Sequence, residues 1–289
     1  LKTSALAVEE ASKLILNGDV VAIPTETVYG LGANATIFMK IVLTNAITVE
    51  GTKVEVIVVT MTTNNLITNV KTYGAEGDGS TDDTEAIQKA IDDSNYVYIP
   101  EGVYCYTKLK LKSNLVIVGN DATLKSLDIT TTGNDASITP EYENNKIENV
   151  CIQGIIFEGN KENITHDYYD VIGFFANNDE KIKNITINNC QFKNFKEDGI
   201  RFMYSKNADI SDITIKGCYF DGVTNEKPSL NGIRFVMNNY VDTYGYYPVN
   251  NVYIHNCKGE TIRTLCDIKR GCQNVIVSDC FTHNMNDCH

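Results

Sequence analysis

One short phrase recurs five times in the second half of the chain. Its copies read NVCIQGIIF at 149–157, NITINNCQF at 184–192, DITIKGCYF at 212–220, NVYIHNCKG at 251–259 and NVIVSDCFT at 274–282. Successive copies begin between 23 and 39 residues apart. A constant core with variable spacing is typical of a solenoid, in which the insertions lie in the turns.

Apolar and polar residues alternate within each copy. In the second copy, Ile185 and Ile187 alternate with Thr186 and Asn188, which is the two-residue period of a half-buried strand. We expect one inward column, with neighbours about 4.8 Å apart, made of Ile155, Cys190, Cys218, Cys257 and Cys280.

The first residue of every copy is Asn or Asp. Both residue types tolerate left-handed backbone and hydrogen-bond to nearby backbone groups. We therefore expect a turn to enter the strand at Asn149, Asn184, Asp212, Asn251 and Asn274.

A second phrase follows in each repeat: YDVIGFF at 169–175, EDGIRFM at 197–203, LNGIRFV at 230–236 and a degenerate RTLCDIK at 263–269. Two or three parallel strands per coil predict an all-β fold, a parallel β-helix that is right-handed by the crossover rule. We place this domain at 70–289, after a β-rich connector at 37–69 in which Glu50 and Gly51 form a turn.

Charge and composition exclude several classes of partner. The formal net charge is −12 and the pI is near 4.8, so nucleic acid is not an expected partner, because phosphate contacts need a basic surface. No apolar run is long enough to span a bilayer, and residues 1–16 lack the pattern of a signal peptide.

The nine cysteines are expected to be mostly buried thiols, and no zinc motif is present.

The first 36 residues differ from the rest. They contain DVVAIPTETVYGLGANA at 19–35, and its PTETVYGLGA segment (24–33) resembles the opening of the threonylcarbamoyl-AMP synthase family. The resemblance covers only about residues 5–35, and the later nucleotide-binding motifs of that family have no counterpart. We interpret 1–36 as a short α/β remnant without that activity.

A second resemblance begins at VKTYGAEGDGSTDDTEAIQKAI (70–91), followed by YVYIPEGVY at 96–104. Thr81 or Asp82 is expected to cap a helix that ends near Asp93 and covers the open end of the stack with Ile87 and Ile91. This stretch resembles the start of the pectate-lyase-like superfamily, which includes rhamnogalacturonase-type enzymes, polysaccharide epimerases and phage tail spikes. The resemblance implies a β-helix that acts on or binds polysaccharide, and it leaves the reaction open.

The second phrase supplies one set of site residues. Aligning its copies places Arg201, Arg234 and Asp267 at one position on consecutive coils. They alternate with apolar residues, so we expect them to point outward as a substrate-binding stripe. Two stacked guanidinium groups repel unless an anion joins them, which favours a carboxylate-bearing or sulfated sugar. The alternative is a solvated stripe with Arg234 paired to Asp267.

Asp170 and Asp198 are expected to be neighbours on adjacent coils. Two close carboxylates raise one pKa and provide an acid and a base, so both are predicted catalytic residues, with Asp267 as a third. By parity Asp198 faces inward with Ile200, unless Gly199 forms a bulge. The alternative is that these aspartates only satisfy backbone N–H groups in a turn.

The insertion NNYVDTYGYYPV at 238–249 is rich in tyrosine. Aromatic faces stack on sugar rings, so we predict substrate contacts from Tyr240, Tyr244, Tyr246 and Tyr247; the alternative is a subunit interface or a loop packed on the solenoid.

Together these features predict a carbohydrate-active, tail-spike-like β-helix that binds a surface polysaccharide and, as a lyase or hydrolase, cleaves it. The alternative is a non-catalytic glycan-binding adhesin or structural spike. We expect no cofactor, apart from Ca²⁺ if the reaction is a lyase reaction. A homotrimer that is extracellular or virion-associated is expected from the resemblance to tail spikes.

Overall fold

The computed structural model describes residues 67–127, 135–163, 169–222, 230–238 and 247–283, together with four short strands before residue 56. Contacts divide the chain into two compact units, Leu1–Ile67 and Thr68–His289. Residues 1–20 and, within the PTETVYGLGA segment, residues 25–28 and 33 lie outside the described residues.

The first unit contains two antiparallel strand pairs. Strand β1 (Val21–Pro24) pairs with β2 (Tyr29–Gly32), and β3 (Ala46–Val49) pairs with β4 (Thr52–Glu55). Val49 lies opposite Thr52, so the second pair flanks the predicted turn at Glu50 and Gly51.

The second unit begins with a 3-10 helix, Val70–Tyr73, and an α-helix, α1, Thr84–Asp93. Asp83 occupies the N-cap position without a capping bond from its side chain. The predicted Asp82 supplies that bond, because its Oδ1 accepts from the backbone N–H of Thr84 at 3.0 Å. The buried Asp83 carboxylate accepts hydrogen bonds from the backbone N–H groups of Glu76 and Gly77, at 2.7 and 3.2 Å. It therefore anchors the glycine-rich turn to the helix, whose Ile87 and Ile91 are fully buried in the core.

The remaining strands form a parallel β-helix with three faces, and β10 and β12 each continue from one face into the next. Face A contains β5 (Thr68–Asn69), β7 (Tyr96–Ile99), the first parts of β10 (Leu115–Ser126) and β12 (Lys146–Glu158), β14 (Lys181–Asn188), β17 (Asp209–Lys216), β20 (Val249–His255) and β23 (Cys272–Ser278).

Face B contains β6 (Asp78–Asp82), β8 (Gly102–Tyr106), the second parts of β10 and β12, β15 (Gln191–Lys193), β18 (Tyr219–Asp221), β21 (Lys258–Glu260) and β24 (Phe281–His283). Face C contains β9 (Leu109–Leu111), β11 (Asp135–Pro140), β13 (Tyr169–Ala176), β16 (Asp198–Tyr204), β19 (Asn231–Met237) and β22 (Thr264–Ile268).

Like residues stack from coil to coil inside the solenoid. Phe174, Phe202 and Phe235 form one ring column with centroids 4.8 and 4.6 Å apart, and a second column contains Phe157, Phe192 and Phe220. The predicted cysteine column is also present: Cys190, Cys218 and Cys257 are buried and Cys280 is half-buried. None of the eight cysteines in the described part of the chain forms a disulfide.

The five Asn or Asp residues that open the repeat phrase have left-handed backbone, as predicted. They lie within the strands of face A and not in a turn before them, as Asn184 does in β14 (Lys181–Asn188). The φ angles are 58°, 53°, 61°, 56° and 51° at Asn149, Asn184, Asp212, Asn251 and Asn274. Their side chains also bond along the stack, because the Asn184 amide donates to Asn149 Oδ1 at 2.8 Å and the Asn149 amide donates to Asn114 Oδ1 at 2.8 Å. The asparagines therefore set the corner and link adjacent coils.

We predict that Asn184→Ala lowers the free energy of unfolding by about 2 kcal/mol: about 1 for an L side chain in left-handed backbone and about 1 for the lost hydrogen bond. Asn184→Gly relieves the backbone cost and should lose only about half as much. Chemical denaturation of the three proteins measures the difference, and equal losses for the alanine and glycine variants would contradict the role of the left-handed corner.

Candidate functional site

The predicted column of charged residues is present on face C. Gly173 lies opposite Arg201, Arg201 opposite Arg234, and Arg234 opposite Asp267. The expected exposure was wrong for Arg201, which is only 5% exposed. The column is therefore covered at Arg201 and opens toward Asp267.

Gly199 decides the direction of the Asp198 side chain. A Cβ atom at Gly199 would lie 2.8 Å from the ring of Phe220, which is in the core, and Ile200 is also a core residue. Two consecutive inward positions shift the alternation, so Asp198 lies on the same side as Arg201, with Arg201 Nε 3.5 Å from Asp198 Oδ2. The inward direction expected from parity was wrong: Asp198 turns away from Ile200, although its strand stays in register with β19 and shows no register shift of a bulge there.

Arg201 joins the two predicted catalytic aspartates. Its Nη1 lies 3.2 Å from Asp170 Oδ2, and the backbone N–H of Asp198 donates to Asp170 Oδ1 at 3.1 Å. Both aspartates are fully buried. The prediction that they are neighbours on adjacent coils is correct, and they meet through a cation and a backbone amide.

Arg234 extends the network to the next coil. Its Nη1 lies 3.3 Å from Glu197 Oε1 and 3.5 Å from Asp198 Oδ2, and its Nε lies 3.2 Å from Asp267 Oδ2. The chain's own carboxylates therefore supply the anions that we expected from a ligand. The alternative in which Arg234 pairs with Asp267 describes this contact.

Sequence reasoning missed two members of the network. Glu197 is 4% exposed and pairs with Arg234, and the Asn231 amide donates to Asp198 Oδ1 at 2.7 Å. Asn231 stands opposite Asp198 in the register, so the aligned phrases could have indicated it. Nothing in the alternation pattern indicated that Glu197 turns toward Arg234.

Buried carboxylates and cations face one another in this network. Asp170, Glu197, Asp198 and Asp267 face Arg201, Arg234 and Lys269, whose Nζ lies 3.5 Å from Asp267. Burial raises the pKa of Asp170 well above its ordinary value, and the neighbouring Asp198 raises it further against the effect of Arg201. Burial also raises the pKa of Asp198, although Arg201 and Arg234 oppose it. The buried pair is therefore the place where the network retains a proton most easily.

These carboxylates do not fit a Ca²⁺ site. Calcium takes about six to eight oxygen ligands, whereas both oxygens of Asp170 already contact Arg201 and a backbone amide. Those of Asp198 contact Asn231 and the two arginines. No group of three or more His, Cys, Asp or Glu side chains suited to a metal ion occurs among the described residues.

Solvent reaches one end of the column. The side chains of Arg234, Asp267 and Lys269 are 16%, 23% and 45% exposed. Tyr247 is exposed as well, whereas Tyr240, Tyr244 and Tyr246 lie outside the described residues. A ligand on face C would therefore meet Arg234, Asp267 and Lys269 before any other part of the network.

A sequence profile of the family described as rhamnogalacturonase A/epimerase, pectate lyase-like, matches residues 67–288. The chain belongs to this family. Its membership agrees with the resemblance carried by residues 70–104 and with the observed β-helix.

Several curated proteins are similar to this member of the pectate-lyase-like family. The pre-neck appendage protein of Bacillus phage B103 is 27% identical over 237 residues, which are 76% of this chain and 24% of that protein. Alginate lyase 7 of Azotobacter vinelandii is 34% identical over 127 residues, which are 37% of this chain and 14% of that protein. The chain spans about a quarter of the length of the phage relatives it matches.

A solved structure shares the fold of this family member. The crystal structure of a candidate glycosyl hydrolase from Parabacteroides merdae has a TM-score of 0.56 and 16% identity, covering 76% of this chain and 99% of that one. Within the part of the chain that is described, no helix has the length and apolar character needed to span a membrane.

We predict that Arg201→Met lowers the free energy of unfolding by about 3–5 kcal/mol at neutral pH, because it leaves buried carboxylates without their cation. Chemical denaturation checks this value, and Lys183→Met is the control, because it removes an ion pair with Asp209 that is exposed on face A. An equal, small effect of both substitutions would contradict a tightly coupled network.

A second prediction concerns pH. The folded-state pKa of Asp170 lies above its unfolded value near 3.8, so the stability that it contributes is present below about pH 4 and is lost as the pH rises through the folded pKa. The stability of the wild type relative to Asp170→Asn should therefore fall as the pH rises from about 4 toward neutrality. Chemical denaturation across this pH range measures how the free energy of unfolding depends on pH. Asp209→Asn is the control for losing one exposed carboxylate. Parallel pH curves for the wild type and Asp170→Asn would contradict a raised pKa of Asp170.

Proposed function

We propose that the β-helix domain binds a surface polysaccharide along face C as part of a virion-associated appendage. The observation that carries this proposal is the solvent-accessible end of the charged column, where Arg234, Asp267 and Lys269 stand together. Cations and a carboxylate at one edge offer charge-assisted hydrogen bonds to the hydroxyl and acidic groups of a glycan. The similarity to phage pre-neck appendage proteins supports the location, and a homotrimer remains our expectation for the assembly.

In this proposal the buried part of the network orients the accessible part. The carboxylates of Asp198 and Glu197 contact the Arg234 guanidinium. The Asn231 amide in turn donates a hydrogen bond to the Asp198 carboxylate. Side chains held by packed partners lose less conformational entropy when they bind a ligand. Asp170 and Asp198 then act as positioning residues, since neither has exposed surface.

Cleavage of the bound polysaccharide is the second candidate function. One observation favours it: burial raises the pKa of Asp170 and of Asp198, and glycosidic bond cleavage uses a carboxylic acid whose pKa is raised. Their full burial favours binding without cleavage. Asp267 is the predicted acid that a substrate can reach in this conformation.

We predict that the full chain retains an acidic or neutral bacterial polysaccharide in affinity electrophoresis. Asp267→Asn and Lys269→Gln should each weaken retention by on the order of tenfold, the effect of losing one charge-assisted hydrogen bond. Lys183→Met on face A is the matched control for the loss of a surface lysine. The proposal fails if no polysaccharide in a broad panel is retained, or if the face C variants bind as the wild type does.

Incubation of the full chain with the same panel of polysaccharides separates binding from cleavage. New reducing ends with the ultraviolet absorbance of an unsaturated uronide indicate a lyase, and new reducing ends without it indicate a hydrolase; Asp198→Asn should abolish either activity. Retention without new reducing ends supports the non-catalytic adhesin.

Sedimentation of the full chain tests the expected trimer, and activity that persists after chelation of divalent ions would exclude a requirement for Ca²⁺.

A further inference from the structure

Face C carries a row of apolar side chains beside the charged column. Phe175 lies opposite Met203, and Met203 lies opposite Val236. Each of them stands two positions after a residue of the charged column, so strand alternation points both rows to the outside of the face. We call Phe175, Met203 and Val236 the face C stripe. The residue between the two rows is a core phenylalanine on each of these coils: Phe174, Phe202 and Phe235.

The stripe departs from the pattern of the other two faces. On the same coils, outward positions of face A pair Asn188 with Lys216, and those of face B pair Lys193 with Asp221. A sheet with one face in water normally alternates apolar residues inside with polar residues outside. The three stripe residues are half-buried and do not belong to the hydrophobic core. The interior of the solenoid therefore does not account for their apolar character.

The Phe175 ring lies at the covered end of the charged column. Gly173 takes the column position that Arg201 takes on the next coil. A Cβ atom at Gly173 would overlap the Phe175 ring and would lie 2.8 Å from Ala136 Cβ. The glycine thus leaves the space that the ring occupies, and the ring lies against the backbone of face C next to the charged column.

The stripe leads to the solvent-accessible end of the network. Phe235 lies opposite Ile268, and the backbone N–H of Lys269 donates to the Phe235 carbonyl at 3.0 Å, so Lys269 follows Val236 in the row. The Lys269 side chain is 45% exposed, and its Nζ lies 3.5 Å from Asp267 Oδ2. An apolar row that crosses three coils thus ends at an ammonium group and a carboxylate.

A pyranose ring has the chemistry that matches this surface. Its C–H face packs on apolar and aromatic side chains, while its hydroxyl and acidic groups accept or donate charge-assisted hydrogen bonds at the edge. Removing apolar surface from water contributes about 25 cal/mol per Å². A mostly apolar surface with a small number of placed polar groups is the usual composition of a small-molecule binding site.

The charges of the network limit how acidic the ligand can be. Arg201 and Arg234 already pair with carboxylates of the chain, and Lys269 has the most exposed side chain of the three cations. The net charge of −12 repels a polymer that carries a carboxylate on every sugar residue. One acidic group beside Lys269 is favourable, whereas an acidic group on the apolar stripe would lose hydration without gaining a partner.

We propose that the face C stripe binds neutral hexose residues of a heteropolysaccharide whose repeat unit also contains one acidic sugar, and that the acidic group lies at Lys269. The polymer crosses successive coils from Phe175 toward Lys269. This inference rests on the proposed glycan-binding function, and it adds the sugar class and the residues that select it.

Affinity electrophoresis of the full chain with a neutral glucan, a polyuronate and a heteropolysaccharide containing one uronate per repeat unit tests this inference. The heteropolysaccharide should be retained most strongly. Met203→Gln and Val236→Thr nearly preserve side-chain size but make the stripe polar, so each should weaken this retention about three- to tenfold. Val118→Thr is the matched control, because it makes the same change at a half-buried outward position of face A and should leave retention unchanged.

The outcomes separate this inference from the function proposed for face C. Equal thermal unfolding midpoints show that the variants are folded. Retention that falls in Asp267→Asn and Lys269→Gln but is unchanged in Met203→Gln and Val236→Thr overturns the inference and leaves the face C proposal intact. Stronger retention of the polyuronate than of the heteropolysaccharide overturns the sugar class. A panel in which no polysaccharide is retained overturns both proposals.

Discussion

The structure depends on in-register parallel pairing of consecutive coils. Each residue stands directly opposite its equivalent in the next coil. Side chains of one kind therefore form a continuous column, and the contact between two neighbouring coils is repeated along the axis of the β-helix. For Phe202 and Phe235 the repetition gives a stacked ring pair, and for Asn149 and Asn184 a left-handed corner with a hydrogen bond between coils. For charged residues the same repetition is a difficulty, since like charges are brought together.

The charged column of face C resolves that difficulty with residues from other positions. Arg201 and Arg234 are direct neighbours, yet Asp170, Asp198, Glu197 and Asp267 surround them. Burying such a network costs desolvation free energy, and its members stabilise the fold only while every partner is present. The network thereby couples four coils electrostatically and leaves one edge, at Asp267, exposed to solvent.

Much of this arrangement could be predicted from the sequence, because residues that stack in successive coils recur at the same place in each repeat of the sequence. The five Asn or Asp corners, the cysteine column and the Arg201–Arg234–Asp267 alignment all follow from counting residues. The side of the strand taken by Asp198 does not, because Gly199 and Ile200 both face the core and shift the alternation. The helix cap left a choice for a related reason: in STDD (80–83) several residues can cap a helix, and the turn at Glu76 and Gly77 takes the Asp83 carboxylate while Asp82 bonds to the first N–H of the helix.

The columns also differ in how freely a coil can be exchanged during evolution. The Phe, Asn and Cys of the stacking positions meet the same partners above and below in every coil, so these positions do not fix the order of the coils. The charged positions of face C do fix it, because Arg234 needs Glu197 and Asp198 on one neighbouring coil and Asp267 on the other. Duplication or loss of one of these coils would preserve the backbone hydrogen bonds between coils, but it would leave a buried charge without its partner. The ion-pair network thus ties the order of four coils together, while the loops between them remain free to diversify.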